Sequence, residues 1–485
     1  MNKKERYKNM NGKKERKITL VEASVLLVIS IVLIYMNARK WGIGTGLSIL
    51  GVGMFLAAYS MIVLRISWED INKEILKVFQ TGMGATLILL MVGFIGSSWT
   101  VSGTNPMLIY FGLKLISPAL YYTVAFILPA VLGVATGSAW AIISSVGVAL
   151  FGVGVGLGVN PAVAAAAIAS GAYVGDKWSP FSDVPNLAGA SNGHTSFEVF
   201  KAQLPVEIPA LVLTVAAYLI MGFRFAGGSA DLSVVDEILG CLEGVYHFNI
   251  LLLLPPVIVI GGAFIKMPII PCLALSSLVA VAEGSLFQGE PLTASFNVLY
   301  SGVTADTGNE LIDALLSGGG LSNMMSLILI IFCAFIFAGI IERMGLLNVI
   351  LKDLSKVARS HGMIVLYSMI TSVLTVFLTA SVYVSTILNA RIWGNVYKKS
   401  GMSTLMLARV TDEGMSNWGM IVPWSSGVAV VCGAFGVTLG QYLPFLFSTW
   451  FGMGFTLLWG FLKRYEIAVT QEELEEMYET EAAAE

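Results

Sequence analysis

Two aspartates and several neutral oxygens lie close together in an almost uncharged part of the chain. Residues 79–197 contain only four charged side chains. Three of these fall within eight consecutive positions: Asp176, Lys177 and Asp183. A carboxylate in a long apolar tract is costly unless function requires it. Segment 175–186 also contains two prolines and a glycine, which interrupt a helix. It supplies three neutral candidate ligands, Ser179, Ser182 and Asn186. The segment therefore predicts a small-cation site built around Asp176 and Asp183.

A buried carboxylate in such a segment could exchange a proton for a cation. Burial disfavours the charged form of a carboxylate, so the buried group can hold a proton near neutral pH. A carboxyl with the ordinary aspartate pKa of about 3.9 would stay ionised and could not do so.

The residues leave other roles open for this region. Asp183 could instead cap a helix. Lys177 could simply neutralise Asp176, because an unwound segment allows a pairing of neighbours that a helix disfavours. Glu207, between two prolines, could contribute an acid or could equally lie at a membrane surface.

A weak internal repeat indicates a second acidic cluster. Segment 172–176 (AYVGD) resembles segment 408–412 (ARVTD), about half a chain further on. Residues 402–462 contain three charged side chains, Arg409, Asp412 and Glu413. Arg409 and Asp412, three positions apart, are expected to pair on a helix, which leaves Glu413 as the freer acid. About seven spans separate equivalent points of the two copies, and an odd number would invert the second copy relative to the first. The alternative to a true repeat is a chance similarity between apolar helices.

Hydroxyl groups mark a further polar break in each half. Ser138 lies in the sequence GSAW at 137–140, and Thr379 and Ser381 lie in TAS at 379–381. These side chains could satisfy an opened backbone and still offer an oxygen to a cation. Alternatively, they hydrogen-bond to carbonyls one turn back, as is common in membrane helices.

The composition is that of a polytopic membrane protein. Of 485 residues, 56% are hydrophobic and 12% are charged, where soluble domains carry about 25% charged residues. Apolar stretches near the spanning length predict an all-α fold of roughly ten to thirteen transmembrane helices. Four scattered cysteines and three separated histidines give no metal-enzyme pattern.

Charge at the two ends indicates the topology. Eight basic residues among the first seventeen, and Lys463 with Arg464 after the last span, favour a cytoplasmic position for both termini. A small-residue cleavage site is lacking, so the first span is expected to remain as an anchor. The predicted segments are a basic cytoplasmic N-terminus 1–17, N-terminal helices 18–78, a first transport repeat 79–225, connecting helices and loop 226–320, a second transport repeat 321–462 and an acidic cytoplasmic tail 463–485.

Several motifs resemble the NhaC-type sodium/proton antiporter family. They are GSAW at 137–140, GDKWSPFSDVPNLA at 175–188, LLSGGG at 315–320, IVPW at 421–424 and YLPF at 442–445. The resemblance covers about residues 42–461. It implies two inverted repeats with broken helices or hairpins at the midplane, and Na⁺ and H⁺ as coupling ions. The chain departs from the family, whose members commonly carry one threonine where it has Ser138-Ala139, another where it has Ile142, and two where it has Val184-Pro185. It departs again after Glu413. Several hydroxyl ligands are therefore missing, which leaves the cargo open.

The sequence thus predicts a secondary transporter of the cell membrane rather than an enzyme. The first hypothesis is a Na⁺/H⁺ antiporter in which Asp176 and Asp183 bind sodium and protons in turn. The alternative is a sodium-coupled carrier or exchanger of a small organic anion or an amino acid. We expect the lipid bilayer, Na⁺, H⁺ and an organic solute as partners, with no cofactor and no nucleic acid. Whether the protein is a homo-oligomer stays open.

Overall fold

The structure, a computed structural model, describes residues 15–39, 43–179, 182–226, 232–265, 267–306, 313, 316–346, 349–350 and 360–482. Regular structure in these residues is helical, apart from two isolated β-bridges. The helices of the first part are α1 Leu20–Arg39, α2 Thr45–Ile62, α3 Trp68–Val101, α4 Thr104–Leu115, α5 Tyr121–Thr136, α6 Ala139–Ile142, α7 Val148–Gly156, α8 Pro161–Trp178, α9 Asp183–Ser191, α10 Ser196–Ala226 and α11 Leu232–Val245. Those of the second part are α12 Leu254–Phe264, α13 Ile269–Phe287, α14 Leu292–Ser301, α15 Leu321–Met344, α16 His361–Thr379, α17 Val382–Lys399, α18 Thr404–Gly419, α19 Ser426–Phe435, α20 Leu439–Tyr442, α21 Phe447–Leu462 and α22 Gln471–Ala482.

The helices confirm an all-α polytopic membrane protein. Within the described residues, seven helices are long and apolar enough to cross a bilayer. Three further pairs qualify only together and are bent, by 74° between α3 and α4, 111° between α11 and α12, and 89° between α19 and α20. Counting each bent pair as one span gives up to ten, the lower end of the predicted number.

The chain forms two compact units. The first comprises residues 1–86, 326–426 and 459–485, and the second comprises residues 87–325 and 427–458. The acidic segment around Asp176 belongs to the second unit, and Asp412 and Glu413 belong to the first. The six segments expected from the sequence stay a prediction.

Each unit contains a helical hairpin with the same kind of turn. In one, α5 ends at Gly137, whose φ of 67° is left-handed, and Ser138 caps α6 by accepting from the Ala141 N–H. The chain then folds back along α5. A hydrogen bond from the Tyr121 hydroxyl, at the start of α5, to the Leu150 carbonyl on α7 shows this reversal, over 2.7 Å. The polar break predicted at residues 137–140 is therefore the tip of this hairpin.

The other hairpin joins α16 to α17. Ala380 is left-handed, with φ of 53°, and Ser381 caps α17 by accepting from the Val384 N–H. The two helices run antiparallel, as shown by the hydrogen bond from the Asn389 amide on α17 to the Ser368 carbonyl on α16. Recurrence of this turn agrees with the predicted internal repeat, whose inverted orientation stays a prediction.

Ala380 should respond to replacement by glycine. A left-handed conformation costs a residue with a Cβ atom about 1 kcal/mol, and glycine avoids that cost. Ala380→Gly is therefore expected to stabilise the protein by roughly 1 kcal/mol, measured as a higher thermal midpoint in detergent.

Ala390, inside α17, provides the matched control. There the same substitution should destabilise by roughly 0.5–1 kcal/mol, because glycine weakens a helix interior. A lower midpoint for Ala380→Gly would contradict the proposed backbone strain.

Candidate ion site

Glycines on α8 hold Asp176 inside the second unit. A Cβ added to Gly171 would lie 2.1 Å from the Phe126 carbonyl oxygen, and one on Gly175 would lie 2.3 Å from that of Ala130. Only glycine lets α8 approach α5 this closely. Asp176 follows Gly175 directly and has 6% of its surface exposed.

Lys177 forms a buried ion pair with Glu207 on α10. Its Nζ lies 2.5 Å from Glu207 Oε1, and both side chains are 3% exposed. Glu207 is therefore an interior residue, although the sequence allowed it a place at a membrane surface. The pairing gives Lys177 a partner on another helix, which the sequence did not predict.

The remaining predicted ligands of this segment follow α8. Ser179 is buried and ends α8, and its N–H donates to the Asp176 carbonyl. Ser182 is buried and caps α9, because its hydroxyl accepts from the Val184 N–H. Asn186 is exposed, and its amide donates to the Ser182 carbonyl over 2.6 Å.

The Asp183 side chain lies outside the described residues. Its backbone begins α9, directly after the capping residue Ser182. Ser182 has the N-cap position of this helix, and the alternative that the Asp183 side chain has a capping role stays a hypothesis. Its predicted role in sodium and proton binding stays a prediction.

Gln203 and Trp178 add polar groups to the α8–α10 contact. Gln203 lies one turn before Glu207, and its neighbour Phe200 packs edge-on against Trp178. Gln203 is therefore between the two places where α10 touches the end of α8. Its amide oxygen and nitrogen, and the Trp178 indole nitrogen, are buried without a hydrogen-bond partner among the described residues.

The second acidic cluster lies on α18. Arg409, Asp412 and Glu413 are all buried, with at most 1% of their surfaces exposed. The Asn417 amide donates to Glu413 Oε1 over 2.6 Å. Arg409 donates to the Tyr465 carbonyl over 3.1 Å, and its predicted pairing with Asp412 stays a prediction.

A polar stripe on the α16–α17 hairpin was missed by the sequence reasoning. Asn389 is fully buried, donates to Ser372 Oγ and the Ser368 carbonyl, and its Oδ1 has no partner among the described residues. A Cβ on Gly414 of α18 would lie 3.0 Å from Ser372 Oγ, so this stripe reaches the acidic helix. The sequence contains a signal for this stripe, because every fourth residue along α17 carries a side chain that can form hydrogen bonds. These residues are Ser385, Asn389, Trp393 and Tyr397.

The hydroxyls at the hairpin tips have structural contacts. Thr379 Oγ1 donates to the Thr375 carbonyl one turn back, over 2.7 Å, as one of the two alternatives expected. Ser138 and Ser381 each accept a backbone N–H as helix caps. Their role as ion ligands stays a prediction.

The chain after α21 packs against the start of α18. Glu473 on α22 accepts from the Thr404 N–H and from Ser403 Oγ at the first turn of α18. Burial raises the pKa of this carboxyl, but hydrogen bonds from Thr404, Thr470 and Ser403 outweigh it, so the pKa is lower than usual. Part of the acidic tail is therefore a docked helix.

The ligands that these clusters offer to a cation are mainly oxygen atoms. Among the described residues no three His, Cys, Asp or Glu side chains are grouped to hold a metal ion. A small hard cation would instead depend on one or two carboxylates together with neutral hydroxyl, amide and carbonyl oxygens.

The Lys177–Glu207 pair should be sensitive to single changes. Lys177→Met or Glu207→Gln leaves one buried charge without its partner, which should destabilise the protein by roughly 3–5 kcal/mol. The double change Lys177→Met with Glu207→Leu should recover most of this loss, as measured by thermal unfolding in detergent.

The exposed pair of Lys73 and Glu69 is the matched control. Its removal should cost less than about 1 kcal/mol. Equal small effects of the buried and the exposed changes would contradict a structural pairing of Lys177 with Glu207.

Comparison with known proteins assigns the chain to a family of ion transporters. Residues 171–463 match the model of the Na⁺/H⁺ antiporter family. A malate-2H⁺/Na⁺-lactate antiporter of Bacillus subtilis is 30% identical over 85% of this chain and 88% of its own length. The arginine/ornithine antiporter ArcD of Halobacterium salinarum is 31% identical over 87% and 86%. The Na⁺/H⁺ antiporter NhaC of Alkalihalophilus pseudofirmus is 29% identical over 85% and 89%. The matched region contains both acidic clusters, and the chain belongs to the Na⁺/H⁺ antiporter family.

Proposed function

We propose that this protein exchanges Na⁺ for H⁺ across the cell membrane by alternating access. The observation that carries the proposal is the charge of the two buried clusters. One combines Asp176, Lys177 and Glu207, and the other combines Arg409, Asp412 and Glu413, so each has two acids and one base among the side chains that the structure describes. Each cluster therefore has a formal charge of −1 when its acids are ionised.

A net charge of −1 in a buried site favours the binding of one monovalent cation. An uncompensated charge out of water costs several kcal/mol, and either H⁺ or Na⁺ removes it. Because the two ions neutralise the same charge, they compete, and competition for one site is the requirement for exchange. Hydroxyl and amide groups of the α16–α17 stripe would supply neutral oxygens to Na⁺ beside Glu413.

A small organic anion is the second candidate cargo. Gln203 and Trp178 present N–H donors without partners among the described residues, close to Lys177. Donors beside a cation suit a carboxylate. Two of the relatives are named as exchangers of malate and lactate or of arginine and ornithine, which supports testing such solutes.

The topology proposed from the charges can be tested by fusion. Basic residues beside the first and last spans favour a cytoplasmic location for both termini. A reporter active only in the cytoplasm should be active at either end, and one active only outside should be silent. An external signal from one terminus would contradict an even number of crossings.

The carboxylates should be required for exchange. In proteoliposomes, Na⁺ added to the wild type should collapse a preset pH gradient, followed by a pH-sensitive dye. Asp176→Asn, Asp412→Asn and Glu413→Gln keep side-chain shape but cannot titrate, so each should lower this flux by about 100-fold or more. Asp183→Asn should do the same if that residue shares the site.

Asp236→Asn, an exposed change on α11, is the control and should leave the flux unchanged. Normal flux in all four carboxylate variants would place the ion site elsewhere. If Na⁺ moves no protons but malate, lactate, arginine or ornithine drives Na⁺ uptake, the second candidate replaces the first.

A further inference from the structure

A third buried acid, Glu283, lies outside both clusters. It is on the transmembrane helix α13 of the second unit and is 4% exposed. Neither oxygen of its carboxyl group has a hydrogen-bond partner among the described residues, and no ion pair involves it there. A carboxylate that is buried and unbonded in this way has lost its hydration without replacement.

The helices around Glu283 carry no compensating cation. Its helix, α13, packs with α12, α14 and the part of α3 from residue 87 to its end. None of these segments, nor α13 itself, contains Lys, Arg or His. Their other titratable side chains are Cys272, whose Sγ donates to the Ile258 carbonyl, and the exposed Tyr300. At the end of α13, the backbone N–H of His247, whose side chain is exposed, donates to Gln288 Oε1.

Oxygen atoms line the position on α13 that follows Glu283. A Cβ on the adjacent Gly284 would lie 3.3 Å from Ser295 Oγ and 3.3 Å from the Val101 carbonyl oxygen. Ser295 is fully buried, and its hydroxyl has no partner among the described residues. Val101 ends α3, and the carboxyl end of a helix carries partial negative charge. Because the Glu283 carboxyl is itself buried without a hydrogen-bond partner among the described residues, its position disfavours an anion and suits a neutral acid.

We propose that Glu283 is a proton-binding site separate from the two acidic clusters. Its carboxylate takes up one proton and stays neutral at physiological pH. The site is independent of which solute the clusters exchange, and it adds one proton to those that the protein binds.

Infrared difference spectroscopy on purified protein in lipid provides the test. At about pH 7, the wild-type spectrum minus that of Glu283→Gln should contain a carbonyl-stretch band of a protonated carboxylic acid, because burial protects the neutral form of Glu283. Glu283→Gln should also release one proton fewer in a potentiometric titration from about pH 6 to strongly alkaline pH. Glu290→Gln, an exposed change seven positions further on, should alter neither the band nor the proton count.

The outcomes separate this proposal from the proposed function. An unchanged band and proton count in Glu283→Gln would overturn it, even if Na⁺/H⁺ exchange is intact. Loss of one bound ²²Na⁺ in that variant, with no acid band that belongs to Glu283, would also overturn it and would assign the site to sodium. If exchange fails but the band depends on Glu283, the inference stands while the proposed function does not. Should Glu283→Gln fold poorly, Glu283→Met repeats the test, since it leaves no buried partner unpaired.

Discussion

The cost of a charge away from water is the constraint on which this structure depends. A bilayer-embedded helix can keep an acid only if a base, a bound cation or a proton removes the charge. Lys177 and Glu207 satisfy this requirement directly, at 2.5 Å and almost fully buried. In the proposed function, Asp176 beside them and the acids of α18 would carry the charge that remains for transported ions. The number of available bases would then divide structural and transport roles among neighbouring carboxylates.

Close helix packing gives these carboxylates their positions. Gly171 and Gly175 allow α8 to lie against the backbone of α5, and Gly414 allows α18 to approach the hairpin of α16 and α17. Both hairpins turn through a left-handed residue followed by a capping serine. In each turn the serine hydroxyl accepts a backbone N–H of the helix that follows. The hydroxyls there serve the fold first, and ion binding would have to share them.

The sequence allowed buried acids to be predicted in segments where charged residues are rare. It did not allow contacts between residues far apart along the chain to be predicted. Isolated charges in apolar tracts identified Asp176, Asp412 and Glu413 as buried acids, and glycine or serine breaks located the hairpin tips. The partner of Lys177 could not be read, because Glu207 is thirty residues away and its helix also contains two prolines. Asn389 was missed because an uncharged amide gives no signal unless the four-residue spacing on α17 is examined. Glu283 was missed because it is a single acid without a motif.

Competition between Na⁺ and H⁺ for the same buried charge is the central claim, and direct binding tests it best. Calorimetric titration of the purified protein with Na⁺ at several pH values measures both affinity and the protons released. One-for-one competition predicts that the apparent Kd for Na⁺ rises about tenfold for each unit of lower pH below the site's own pKa, with one proton released per sodium bound. A Kd that is independent of pH, with no proton released, would contradict the account.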